Sequence, residues 1–65
     1  MNFIFIKEIK EKFNIDILDL PAYQIGIIEY FYNDFRSEIN LNQYRNKELK
    51  LYDYIREVIK NEITS

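Results

Sequence analysis

The sequence has no cysteine and no histidine among its 65 residues. Disulfide frameworks and thiolate metal sites are therefore excluded, and the usual zinc, copper and haem ligands are missing. A cysteine nucleophile is ruled out, as is a histidine base for any hydroxyl nucleophile. Glycine and proline occur once each, as Gly26 and Pro21. No Gly/Ser linker, internal repeat or low-complexity tract interrupts the chain. The longest apolar run, Phe3-Ile4-Phe5-Ile6, falls far short of the ~20 residues of a membrane span. It has no basic segment before it and Lys7-Glu8 directly after it, so it does not read as a secretory signal. Nor is there a run of lysine or arginine. Nine basic and eleven acidic residues leave a net charge of −2, which supplies no long-range field for phosphate backbones or anionic membranes. The expected address is the cytoplasm. Richness in isoleucine, asparagine, lysine, tyrosine and phenylalanine suggests an AT-rich genome such as a phage or plasmid, in which case the cytoplasm is the host's.

What remains is the alphabet of a folded helical protein, 48% hydrophobic and 31% charged. The expected organisation is one helical domain over residues 1–65, an all-α bundle of three helices with the second at its centre. Breaks fall at Asn14 to Pro21, where Asn14 suits a left-handed helix end and Pro21 a first helical turn, and at Asn40-Leu41-Asn42. Helix one covers residues 4–13, with Phe5, Ile6, Ile9 and Phe13 at helical spacing. The fragment Asn2 to Ile6 has a competing reading as an extended arm, since its aromatic and β-branched residues suit a strand equally well. Helix two runs from Pro21 to Ser37 or slightly beyond, and its broad face carries Gln24, Ile25, Ile28, Phe31, Tyr32, Phe35 and Ile39. Helix three starts between Asn42 and Lys47 and reaches Ile63, with a stripe of Tyr44, Leu51, Tyr52, Ile55, Val58, Ile59 and Ile63.

A domain of this length buries only ~60% of the surface that its unfolded chain exposes, so its stability is marginal. Self-association or docking onto a partner follows as an expectation. The aromatic load is 17% and includes six tyrosines. Tyrosine joins a large apolar ring to a hydroxyl that must stay wet or bonded, which suits the margin of a core or an interface. Tyr32, Tyr44 and Tyr52 lie on the main stripes and are expected to rim the core. Tyr23, Ile27 and Tyr30 form a second strip on helix two, with Asp34 on the same side, that three short helices can hardly enclose. These four are the candidate contacts for a protein partner. Tyr54 and Leu49 join them because both lie off the main stripe of helix three.

Other constellations carry less. Asn14, Asp16 and Asp19 lack the alternating oxygen ligands, central glycine and closing glutamate of a calcium loop, and are expected to cap turns and the start of helix two. Ser37, Thr64 and Ser65 are the only hydroxyls besides tyrosine. Glu48 and Glu62 fall on the inward stripe of helix three, where pairing with lysine is the expected role. No enzyme, cofactor or metal site is expected. A helix-turn-helix drawn on helices one and two would offer Asn33 and Arg36 to DNA, but Glu29 stands beside that single cation, so nucleic acid is not the expected partner. The sequence thus predicts a small interaction module that binds a protein stoichiometrically as adaptor, inhibitor or regulatory subunit, and that self-associates. The alternatives are a DNA-binding regulator and a structural subunit of a larger assembly.

Overall fold

Asn14 turns the chain. In the computed structural model, which describes the backbone of residues 4–64 and the side chains of residues 4–61, Asn14 is the one described non-glycine residue with positive φ, at 58°. Asparagine tolerates this left-handed conformation better than most residues. Its N–H donates to the Lys10 carbonyl at 2.9 Å and closes the first helix, α1 (Ile4–Phe13). Ile4 to Ile6 are therefore helical, which settles the described part of the competing reading against an arm; Asn2 and Phe3 lie outside the described residues.

The connection that follows is ordered by two local devices. The Asp16 carboxylate accepts from the Leu18 N–H at 3.0 Å, and the Leu20 N–H donates to the Ile17 carbonyl at 3.1 Å. The resulting turn places Ile17 in the centre of the core. Asp19 does not cap helix two as expected. Pro21 holds the cap position of α2 (Ala22–Arg36), no side chain bonds the free amides there, and the Pro21 carbonyl accepts from Gln24 and Ile25.

The second corner departs further from expectation. The Glu38 carboxylate accepts from the N–H groups of Ile39 and Asn40, both at 3.1 Å, which stops α2 at Arg36. Asn40 then caps α3 (Leu41–Thr64), its side chain accepting from the Gln43 N–H at 3.0 Å. The third helix thus starts before Asn42. Ile39, expected on the inward face of helix two, sits in the corner and is 98% exposed.

With these bounds the described residues form three helices and no strand, with α2 packed on α3. This is the small all-α bundle that the hydrophobic periodicity predicts. Phe5, Ile6 and Ile9 of α1, Ile17 of the first connection, Ile25, Ile28, Tyr32 and Phe35 of α2, and Leu51 and Ile55 of α3 make one core. Rings link all three helices: Phe5 meets Tyr32 at 6.0 Å, Phe35 meets Tyr44 at 4.6 Å, and Phe13 meets Tyr52 at 5.2 Å. Tyr32 is buried, and Tyr44 and Tyr52 are half-buried, as their stripe positions imply. Glu48 pairs with Lys12 at 2.8 Å, and that bond raises the Lys12 pKa above its ordinary value. The side chains of Glu62 and Ile63 lie outside the described residues. No described helix is long and apolar enough to cross a membrane.

Gly26 sits mid-helix on α2, exposed, with nothing near the position of an added Cβ. Glycine costs a helix interior ~0.5–1 kcal/mol relative to alanine. Gly26→Ala is therefore expected to stabilise the isolated chain by about that amount and raise its thermal midpoint by several degrees, read by far-UV circular dichroism.

Candidate protein-binding face on the second helix

Successive helical residues are turned by ~100°, which sets the faces of α2 by arithmetic. The buried residues Ile25, Ile28, Tyr32 and Phe35 span a narrow sector toward the core. Tyr23 and Tyr30 lie roughly 160–180° from the middle of that sector, and Asp34, Ile27 and then Phe31 follow toward α3. Tyr23 is 64% exposed, Tyr30 72%, Ile27 39% and Phe31 40%. The side of α2 that points away from the core is therefore itself apolar and aromatic. Ala22, Glu29, Asn33 and Arg36 occupy the remaining flank.

The face is continuous with the edge of α3. Tyr30 meets Phe31 edge-on at 5.8 Å, and Phe31 meets Tyr54 edge-on at 5.4 Å. The Tyr54 hydroxyl donates to the Gln24 side-chain carbonyl at 2.8 Å, so Tyr54 is half-buried and orients the edge of the face. A groove of about 380 Å³ runs between the two helices, lined by Phe31, Asp34, Lys47, Lys50, Leu51 and Tyr54. Asp34 sits at one end of it, 3.2 Å from the Lys47 ammonium, which also reaches Glu38 at 2.8 Å. A broader, more open depression of about 860 Å³ lies between Phe13 and Ile15 on one side and Tyr52 and Ile59 on the other. Its rim mixes Asp53, Arg56, Glu57 and Lys60, so it presents no surface of one character.

Of the expected contacts, Tyr23, Ile27, Tyr30 and Asp34 share one face, and Tyr54 borders it. Leu49 does not join them. It is exposed, but it lies roughly 140° around α3 from Tyr54 and so points elsewhere. Two members were missed. Phe31 reads as core by spacing, yet it lies at the edge of the buried sector and faces the groove. Lys47 becomes a partner of Asp34 only because the corner at Glu38 and Asn40 returns α3 alongside α2. An acid before that corner and a lysine just after it were the available signal.

The corner also predicts a pH response. Lys47, and then the backbone N–H groups of the turn, hold the Glu38 carboxyl below its ordinary 4.5, while Glu38 and Asp34 raise the Lys47 ammonium above its ordinary 10.5. A lowered carboxyl contributes stability that is present above its unfolded value and lost as pH falls through the folded one. A raised ammonium contributes stability that is lost as pH rises through its folded value. Melting of Glu38→Gln against the parent is therefore expected to show a deficit at neutral pH that closes in acid once Glu38 is protonated.

The fold and this face define a small helical domain with an uncovered aromatic surface. The chain matches no known protein family, no curated protein and no solved structure.

Proposed function

We propose that this chain is a small non-enzymatic interaction module, an adaptor, inhibitor or regulatory subunit, that acts by stoichiometric binding of a protein through the outer face of α2. One observation carries the reading: Tyr23 and Tyr30 stand largely exposed on the side of α2 opposite the core. Small monomers seldom leave large rings contiguous in water, and tyrosine is enriched among residues that dominate binding energy. Ile27 and Phe31 supply the apolar centre and Asp34 the orienting charge at one end.

The test is a photo-activated cross-linker in place of Tyr30, with the same group in place of Asn33 as control. A discrete polypeptide adduct in native lysate from position 30 and none from position 33 is expected. No adduct at position 30, or equal adducts at both, would remove the reading. Asp34→Lys is expected to weaken that capture by roughly tenfold while the domain stays folded, because Lys47 keeps Glu38 as a partner. Equal capture would reject the role of Asp34.

A further inference from the structure

The residues opposite the core of α2 follow a particular order. Tyr23, Ile27, Tyr30 and Asp34 are spaced four, three and four apart, which is the alternation of the seam of a coiled coil. The four lie between the second and the thirteenth residue of α2, so the seam spans nearly the whole helix. We infer that the occupant of this face is a second copy of the same chain, with the two α2 helices packed antiparallel about a two-fold axis that passes between Ile27 and Tyr30. The inference rests on the binding role of the α2 face and names what binds there.

Self-complementarity is the argument. In a closed two-fold pair each contact occurs twice, with residue i on j and j on i. With the axis between Ile27 and Tyr30, the facing positions are Ile27 on Tyr30 of the second copy and Tyr23 on Asp34 of the second copy. The centre is then wholly apolar and aromatic. At each end a phenol donor meets a carboxylate acceptor, a charge-assisted hydrogen bond. The Tyr23 hydroxyl has no hydrogen-bond partner among the described residues of its own chain, and the Asp34 carboxylate, bonded through one oxygen to Lys47, retains lone pairs to accept it. A parallel pair would set Asp34 against Asp34 and Tyr23 against Tyr23, placing like charges in contact. Antiparallel packing also brings the positive end of one helix dipole to the negative end of the other.

The exposed area sets the scale of a small interface. At ~150–250 Å² of coverable surface per aromatic side chain, the exposed fractions of Tyr23, Tyr30, Phe31 and Ile27 leave on the order of 400 Å² per chain. That is about half of the ~800 Å² each partner contributes to a standard interface, before Gln24, Lys50 and Tyr54 at the margins are added. A domain that buries only ~60% of its unfolded surface gains stability by covering this face.

The absence of native cysteine makes the register directly testable. Sedimentation equilibrium of the parent is expected to show a species of twice 8.0 kDa, and Ile27→Glu to weaken its dissociation constant by roughly a hundredfold with unchanged helix content. Tyr23→Cys mixed with Asp34→Cys is expected to give an oxidised cross-link between the two variants, while either alone gives little. Both substitutions leave Ile27 and Tyr30 in place. A parent that stays monomeric at every concentration overturns the inference, as does a dimer in which Tyr23→Cys or Asp34→Cys links efficiently to itself. A monomeric parent whose Tyr30 cross-linker still captures another polypeptide fails this inference alone; absence of every adduct fails the binding role with it.

Discussion

Phe35→Ala is expected to lower the thermal midpoint of the chain by roughly 10–40 °C. The Phe35 ring is fully buried, lies 4.6 Å from Tyr44 and 6.0 Å from Tyr32, and has the Lys12 ammonium over its face at 5.8 Å. It is thus where α1, α2 and α3 meet through rings. Truncating a buried phenylalanine removes its transfer free energy and leaves a cavity, together ~3–5 kcal/mol. A domain of this length has only about 3–10 kcal/mol of total stability at the usual ~0.05–0.15 kcal/mol per residue. The fall of the thermal midpoint by far-UV circular dichroism is the readout, with Phe35→Leu as the milder control. A midpoint within a few degrees of the parent would show that the three helices do not depend on this junction.

The double substitution Tyr23→Ala/Tyr30→Ala is expected to do the reverse, abolishing association and sparing the isolated fold. Each ring is exposed, and of the two only Tyr30 has a ring neighbour among the described residues, in Phe31. Alanine is the better helix former by a few tenths of a kcal/mol at each site, which offsets the lost Tyr30–Phe31 contact. Tyrosines that dominate an interface contribute ~2 kcal/mol or more each when truncated, so capture by the Tyr23/Tyr30 face should fall by at least roughly a hundredfold. Sedimentation and cross-linking from position 27 measure that loss. Thermal melting at a concentration low enough to keep the parent monomeric measures the fold. Unchanged mass and capture, with a lowered midpoint, would mean that the two tyrosines serve the monomer alone.

Much of this architecture was legible in the residues because its signals are local. Asn14 ends α1 in the conformation its type suggests, and Ile25, Ile28, Tyr32 and Phe35 occupy the inward sector that their spacing dictates. Tyr23, Ile27, Tyr30 and Asp34 were likewise legible as a second strip, since helical geometry alone places them away from the core. The failures have a common cause in tertiary return. Ile17 belongs to a connection with no periodicity, and only the turn at Asp16 delivers it to the core. Ile39 fits the stripe of α2 in register but falls beyond the point where Glu38 diverts the backbone. Which of Asn40 and Asn42 starts α3 depends on that diversion, and so does the meeting of Lys47 with Asp34. Leu49 and Tyr54 both leave the α3 stripe, but only the position of α2 determines that Tyr54 finds Gln24 and Leu49 finds no site.

Among the described residues the interior contains no polar side chain. Interlocking side chains fit one alignment best, and polar contacts give that alignment a direction that hydrocarbon lacks. Those contacts sit at the perimeter, in the Tyr54 hydroxyl on Gln24, the Lys12 ammonium on Glu48 and the Lys47 ammonium on Asp34. A chain stripped of those latches is expected to keep its helices and its greasy centre, with only the interlock of side chains left to choose among neighbouring registers.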